Sequence, residues 1–302
     1  MEEFAATIGM FDGVHRGHQF VLRRVMEVAR ERGLQSMAVT FRPAGDRMPV
    51  KPTLTPTDEK LRLIAKAGIE RTEVLPFTDE LRQMTARDFM QQVLLQKLHV
   101  RVLLIGYDNR FGHRPARTED GHEEGFADYV RYGKELGIEV LQLPAEGRVS
   151  SSHIRQLLQQ GMVAAAADSL GYHYTVAGRI GHGEHVGTRL GFPTANLEPA
   201  DSTQLLPAPG VYAVMVRLEG SAELKQGMMN IGHRPTFDGH RQTLEVNIFR
   251  LEEDLYGQQM EVVFVERLRD ERRFADIAAL KAQLQHDKEQ TEQLLNKIAV
   301  TK

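Results

Sequence analysis

The first stretch able to do chemistry is residues 8–18, which read Ile-Gly-Met-Phe-Asp-Gly-Val-His-Arg-Gly-His. His15 and His18 stand three residues apart, so both rings face the same side if they lie on the first turn of a helix. The apolar spacing of residues 20–29 predicts that helix. A helix start presents unpaired N–H groups and a positive dipole end. We therefore expect a nucleotide phosphate here, steadied by the two histidines without attack by either of them.

The rest of this turn supports the same interpretation. Gly9 and Gly13 free the backbone, and Gly17 stands where a side chain would block a ligand. Phe11 and Asp12 complete the candidate nucleotide site. Two alternatives stay open. One is a metal site, although the sequence lacks the glutamate and third histidine of a metalloprotease motif. The other is a glycine turn with two solvated histidines and no function.

A second chemical stretch, residues 178–197, runs from a glycine-rich loop into a stiff Pro-Thr-Ala-Asn segment. If Thr194 and Asn196 are extended, they share a face. Their hydroxyl and amide oxygens are hard ligands of the kind that magnesium with bound ATP accepts. The glycine-rich loop can close over phosphates, and its candidate nucleotide-binding residues are Gly183, Gly187 and Arg189. The alternative is an ordinary Pro-Thr turn without a function.

A third stretch, residues 244–249, alternates apolar and polar residues, so that Glu245 and Asn247 point away from the apolar face. A carboxylate near a substrate hydroxyl accepts its proton while the oxygen attacks the γ-phosphorus of ATP. Glu245 is therefore a candidate catalytic base. A surface glutamate on a half-exposed strand is the alternative.

Helices and strands alternate through the first half, which predicts an α/β domain with a doubly wound parallel sheet. Strands are expected at 34–41, 73–77, 100–105 and 138–143, and helices at 58–67, 85–98 and 126–136. In such sheets ligands bind beyond the carboxyl ends of the strands, here after Ile8, Phe41, Ile105 and Leu143.

Two of those ends carry further candidates. A polar and basic run, Asp108, Asn109 and Arg110, follows the strand at 100–105, and a plain loop is its alternative. Later, Ser150 and Ser151 cap a helix with Arg155 one turn in, a geometry suited to a second phosphate grip. Capping alone and a solvated arginine are the simpler explanations.

From residue 172 onward the chain changes to short alternating segments. We therefore predict two domains, 1–171 and 172–302. Strands at 211–216, 244–249 and 262–265 predict a small antiparallel β-barrel. A final helix is expected to pack Phe274, Ile277, Leu280 and Leu284 on the barrel, leaving the charged run 286–292 in water.

Composition bounds the class of protein. The 302 residues carry 38 lysines and arginines against 41 acidic residues, a net charge of −3, without a long basic run. This argues against a nucleic-acid or membrane surface and for small-molecule partners. There is no cysteine, so thiolate sites are excluded. The sequence has no long apolar run and no signal sequence, so we expect a cytoplasmic enzyme. The sequence does not specify its oligomeric state.

The motifs also carry a family resemblance. Residues 9–18 resemble the nucleotidylyltransferase signature, and residues 190–197 resemble the hallmark of riboflavin kinases. Segments 230–237, 244–249, 254–257 and 268–274 follow in the riboflavin-kinase order. From residue 6 to about 284, the chain resembles the bacterial bifunctional riboflavin kinase/FAD synthetases. That resemblance implies phosphorylation of riboflavin to FMN in the second domain and adenylylation of FMN to FAD in the first.

The resemblance also implies roles for individual residues. Glu245 is the kinase base, Thr194 and Asn196 hold Mg²⁺ with ATP, and Arg269 borders the flavin. In the first domain, four residues handle the phosphates of ATP and three lie near the flavin. The four are His15, His18, Ser151 and Arg155, and the three are Asp108, Asn109 and Arg110.

The chain departs from the family pattern after Phe41. Arg42-Pro43-Ala44 stands where a Pro-His-Pro element is usual, so a histidine expected beside the phosphates is missing. Further on, Thr188 replaces a common arginine, and Asn247 replaces a histidine. A kinase with an inactive or weakened adenylyltransferase domain is therefore an alternative hypothesis. A non-enzymatic flavin-sensing protein is a third.

Overall fold

The computed structural model describes residues 2–44, 51–107, 111–112, 124–144, 149–181, 191–236, 239–251, 253 and 255–300. It divides into two compact units, Met1–Ser151 and Ser152–Lys302. Each unit has its own sheet. In the described residues no helix is both long and apolar enough to cross a membrane.

Five parallel strands form the sheet of the first unit, in the order β3-β2-β1-β4-β5. They are β1 Phe4–Ile8, β2 Gln35–Pro43, β3 Arg71–Phe77, β4 Val100–Ile105 and β5 Glu139–Gln142. Strand β1 is buried along its whole length, with Phe4, Ala6 and Ile8 in one apolar cluster and Ala5 in another. Because side chains alternate along a strand, these clusters lie on opposite faces of the sheet. The predicted doubly wound parallel sheet is confirmed.

Helices cover both faces of this sheet. They are α1 Arg16–Arg32, α2 Thr57–Lys66, α3 Asp79–Gln83, α4 Ala86–Asp88 and α5 Phe126–Leu136. Helix α4 continues as a π-helix over Phe89–Lys97, so the helix expected at 85–98 is present with mostly π-helical bonding. Leu22 and Ile64 place α1 and α2 on one face, whereas Met90 and Tyr129 place the π-helix and α5 on the other.

Two short helices, α6 Ser151–Gln159 and α7 Val163–Leu170, precede the barrel. Gly161 separates the two helices, because it adopts a left-handed conformation with φ of 74°. Both helices bury an apolar side, and α7 packs on the last strand of the barrel.

Six antiparallel strands close into a barrel in the order β10-β7-β6-β11-β8-β9. They are β6 Thr175–Gly181, β7 Ala195–Pro199, β8 Gly210–Leu218, β9 Leu224–Thr236, β10 Gly239–Ile248 and β11 Gln259–Arg269. The predicted barrel is confirmed. Phe264 is fully buried in its core and contacts two other buried aromatic side chains, Tyr174 and Tyr212.

The final helix, α8 Ile277–Val300, lies across β8, β9 and β11. Its buried face agrees with the prediction at Leu284, which packs on the barrel, and differs from it at two other positions. Phe274 precedes the helix, and Ile277 is 69% exposed. Conversely, the prediction of a solvated run at 286–292 is wrong at Asp287 and Thr291, which are both fully buried. The physical reason is that Asp287 is paired with a cation on the barrel, as described below.

Candidate active sites

The turn after β1 has an unusual backbone. Gly13 has φ of 81°, and two larger residues, Phe11 and Val14, also adopt positive φ values of 50° and 34°. Such values strain residues other than glycine. Both side chains are almost completely buried, which holds the turn in this conformation. The expected backbone freedom is therefore used at Gly13, whereas Gly9 does not adopt a left-handed φ.

Side chains from elsewhere in the first unit tie this turn in place. The Asp12 carboxylate accepts hydrogen bonds from the N–H groups of Leu54, at 2.8 Å, and Thr55, at 3.3 Å. In return, the Gly13 N–H donates to the Thr55 hydroxyl at 3.1 Å. The Ser151 hydroxyl donates to the Asp12 carbonyl at 2.9 Å. Sequence reasoning missed Thr55, whose contact spans 42 residues and leaves no local pattern.

His15 caps helix α1 by accepting the N–H of His18 at 3.4 Å through Nδ1. The two rings stack with centroids 3.7 Å apart and an interplanar angle of 17°. The three-residue spacing correctly predicted rings on the same side. A Cβ at Gly17 would come within 3.2 Å of the His15 ring, so glycine leaves room for the ring rather than only for a ligand.

The Nδ1 atom of the His18 ring is buried and has no hydrogen-bond partner in the described part of the chain. Burial, followed by the charges of His15 and Lys60, holds the pKa of His18 well below its ordinary value of 6.5. The ring is therefore neutral at neutral pH. It can take part in hydrogen bonds with a ligand without adding a charge.

Lys60 is a second buried group beside this turn that sequence reasoning missed. Its ammonium donates to the Phe41 carbonyl at 2.8 Å, at the point where the expected Pro-His-Pro element would follow. Burial lowers the pKa of Lys60, and the nearby Asp12 carboxylate opposes that shift. A cation thus lies close to the end of β2 although the histidine of the family pattern is absent.

The remaining candidate residues of the first domain are Ser150, Arg155 and residues 108–110. Ser150 is exposed, and Arg155 lies on α6 in the second compact unit. Asp108, Asn109 and Arg110 lie outside the described residues, as do Gly183, Gly187 and Arg189 of the second domain. No group of three or more His, Asp or Glu side chains in the described ranges could hold a metal ion.

A pocket of about 280 Å³ lies in the second unit between the barrel and helix α8. Strands β8, β9 and β10 supply one wall, and residues 269–284 supply another. Its lining residues are Phe192, Thr194, Val211, Met228, Asn230, Glu245, Asn247, Arg269, Glu271, Arg272, Phe274, Leu280 and Leu284.

Strand register explains how the polar residues converge here. Glu245 lies opposite Asn230 on one side and opposite Asn196 on the other. Directly opposed residues in antiparallel strands share a face, so Asn196 points to the same side as Glu245 although it does not line the pocket. Leu244 and Val246 are buried on the other face, as the alternation predicted. Thr194, two residues before Asn196, does line the pocket.

Asn247 has a definite contact in place of the histidine of the family pattern. Its amide donates to the Pro193 carbonyl at 2.6 Å, which joins β10 to the segment that carries Thr194. Phe192, Met228 and Phe249 form an apolar cluster beside that contact, and Leu284 of α8 packs against it.

Arg269 is held on the opposite wall by a buried carboxylate. Its Nε lies 3.0 Å from both oxygens of Asp287, and its Nη2 lies 2.7 Å from Oδ2. The guanidinium groups of Arg269 and Arg272 lie 5.8 and 4.9 Å from the centre of the Phe274 ring. The sequence pattern indicated Arg269 but not Asp287. In a helical run of charged residues, a buried aspartate cannot be distinguished by spacing from an aspartate exposed to solvent.

Two family models divide the chain between them. The model of FAD synthetases matches residues 1–153, and the model of riboflavin kinases matches residues 170–295. A bifunctional riboflavin kinase/FMN adenylyltransferase of Escherichia coli strain K12 is 38% identical over 291 residues, covering 93% of this chain and 89% of the relative. This chain belongs to the bifunctional riboflavin kinase/FMN adenylyltransferase family. The strained turn lies in the FAD-synthetase part and the barrel pocket in the riboflavin-kinase part.

Other members and one solved structure extend the likeness over nearly the whole chain. The Listeria monocytogenes relative of the same name is 33% identical, covering 97% of this chain and 92% of the relative. A crystal structure of a Streptococcus pneumoniae protein described as a macrolide-efflux protein matches with a TM-score of 0.84 and 29% identity, over 97% of this chain and 95% of that one. The two family matches leave residues 154–169 unassigned, so the domain boundary near 172 stays a prediction.

Proposed function

We propose that this chain performs two successive ATP-dependent steps of flavin cofactor synthesis. The second domain phosphorylates riboflavin to FMN, and the first transfers AMP from ATP to FMN, giving FAD and pyrophosphate. Membership of the family supports both activities. The observation that carries the kinase step is Glu245 in the pocket wall, opposite Asn230 on one neighbouring strand and Asn196 on the other.

In the kinase step, Glu245 accepts the proton of the riboflavin hydroxyl whose oxygen attacks the γ-phosphorus of ATP, and ADP leaves as the bond between the β,γ-bridging oxygen and the γ-phosphorus breaks. Thr194 and Asn196 supply hard oxygen donors on the side of the sheet that carries Glu245, a donor set that fits Mg²⁺ bound to ATP. When bound, that ion neutralises charge on the phosphates. Arg269 borders the flavin, and Asn247 keeps the Thr194 segment against β10.

In the adenylylation step, the phosphate of FMN attacks the α-phosphorus of ATP directly, without an enzyme-bound intermediate. The start of α1 offers N–H groups and a positive dipole end to the phosphates. His15 and His18 hydrogen-bond them, Ser151 braces the turn, and Arg155 adds a cation. Phe11, Asp12 and the glycines Gly9, Gly13 and Gly17 shape the turn. We further propose ATP, riboflavin and FMN as the partners and the cytoplasm as the location.

Chromatography of the products tests the kinase assignment. Glu245→Gln should lower FMN formation from riboflavin by about 100-fold or more, the usual contribution of a general base. The same variant should still convert supplied FMN to FAD. The control is Glu261→Gln, a barrel glutamate paired with Arg217 outside the pocket. Loss of both activities in Glu245→Gln would contradict two independent sites.

A second assay tests adenylylation, where the Pro-His-Pro departure favours a competing hypothesis. The wild-type protein is incubated with FMN, Mg-ATP and pyrophosphatase, and FAD is measured. We expect FAD. FMN formation from riboflavin without any FAD would show a kinase with an inactive first domain. Tight flavin binding without either product would show a flavin-sensing protein.

A further inference from the structure

Asp287 is the fully buried carboxylate of helix α8, and its main partner lies in the wall of the kinase pocket. Both of its oxygens accept hydrogen bonds from Arg269, at 2.7 to 3.0 Å. Gln283, one turn earlier, donates to Oδ1 at 2.6 Å. The Thr291 hydroxyl, one turn later, donates to the Asp287 carbonyl at 2.7 Å. The carboxylate itself is therefore fixed by Arg269 on the barrel and by Gln283 on its own helix, whereas the Thr291 bond reaches only the Asp287 backbone.

These contacts leave Arg269 little freedom. Its Nε and Nη2 are engaged by Asp287, and its Nη1 donates to the Asp270 carbonyl at 2.9 Å. A guanidinium is planar, so a two-point contact fixes the orientation of its plane. Arg269 thus presents a fixed flat cation to the pocket, near the Phe274 ring that Arg272 approaches more closely.

We propose that Asp287 is a positioning residue for flavin binding, acting through Arg269. Phe274 and the two guanidinium groups make this wall aromatic and cationic, which suits a planar heterocycle that stacks on the ring and offers carbonyl oxygens to the guanidinium donors. Glu245, the proposed base, lies on strand β10 in the other wall. Asp287 therefore governs the affinity for riboflavin and leaves the proton-transfer step unchanged. This inference rests on the proposed kinase function.

The first test is Asp287→Asn in the full-length protein, which keeps the shape of the side chain and removes its charge. We expect the KM for riboflavin to rise about 10-fold, the effect of losing one charge-assisted hydrogen bond. The kcat should stay within about 3-fold of the wild-type value, a smaller change than the one expected for the KM. Adenylylation of supplied FMN should not change. Glu289→Gln, an exposed carboxylate on the same helix, is the control and should behave like the wild type. An unchanged KM in Asp287→Asn would overturn the proposal.

The second test separates positioning from stability. Removing one partner of a buried ion pair leaves an uncompensated charge, whereas an apolar pair of similar volume often restores stability. The double variant Arg269→Met/Asp287→Leu should therefore melt near the wild-type temperature while its KM for riboflavin stays raised. Recovery of both the melting temperature and the KM would show that the pair is only structural, and the proposal would be wrong. A wild-type protein that makes no FMN would refute the kinase function instead.

Discussion

Replacing Thr55 by valine would remove one hydrogen bond from the strained turn of the first unit while keeping the side-chain volume almost unchanged. Thr55 is 7% exposed, and its hydroxyl accepts the Gly13 N–H at 3.1 Å. The neighbouring positive φ values of Phe11 and Val14 persist only because surrounding contacts enforce them. Loss of this contact should therefore affect both the stability of the unit and the shape of the phosphate site.

The magnitude follows from the burial of the donor. Removing the hydrogen-bond acceptor of a buried N–H group lowers the free energy of unfolding by about 1–3 kcal/mol. The first unit ends at Ser151. For a unit of that size, each kcal/mol shifts the melting temperature by about 2–4 °C, so we expect a decrease of about 2–12 °C. A displacement of the turn by about 1 Å lowers the rate of a positioned reaction by up to about 100-fold.

Calorimetry and the two product assays check this prediction on the full-length protein. Thr55→Val should lower the transition of the first unit and lower FAD formation by about 10- to 100-fold, with FMN formation unchanged. Thr55→Ser keeps the hydroxyl and should recover most of both. Thr72→Val, on the edge strand β3, is the matched control and should change neither. Normal FAD formation in a destabilised Thr55→Val variant would refute the link between this bond and the phosphate site.

Two further substitutions test the histidine pair. Gly17→Ala should leave the stability equal or slightly higher, because alanine favours a helix, yet it should lower FAD formation, because its Cβ would lie 3.2 Å from the His15 ring. Calorimetry and the FAD assay measure the two effects. Lower stability together with normal FAD formation would contradict this prediction. For His18, the folded pKa lies below 6.5, so the unfolded chain binds a proton first as the pH falls and stability is lost below about pH 6.5. The loss should reach at most about 1.4 kcal/mol per pH unit, and His18→Gln should reduce that slope, as measured by denaturant unfolding across pH.

Fold class was predictable wherever apolar periodicity was strong. The strand at Val100–Ile105 and the helix at Phe126–Leu136 have the predicted bounds, because a continuous apolar run and a clear helical stripe each specify one structure. Strand β9 was not predicted. It contains glycines at 227 and 232 and polar residues throughout, so no alternation marks it. Its glycines serve close packing, since a Cβ at Gly227 would lie 2.7 Å from the Asn247 carbonyl.

The candidate sites were predictable to the extent that local spacing determines them. Spacing placed the rings of His15 and His18 together and separated Glu245 from Leu244 and Val246. The supporting residues, Thr55 and Asp287, act over 42 and 18 positions along the chain. Contacts of that range depend on tertiary packing, which leaves no signal in the spacing of neighbouring residues.

The two sites keep their polar groups in place by different physical means, and this difference determines how substitutions should behave. At the turn, packing and a few hydrogen bonds hold a strained backbone in place. They also hold the buried Nδ1 of His18, which has no partner among the described residues. At the barrel, the ladder itself sets Glu245 opposite Asn230 and Asn196. A ladder position survives the loss of one neighbour, because adjacent backbone bonds remain. Distant substitutions should therefore impair FAD formation more readily than FMN formation.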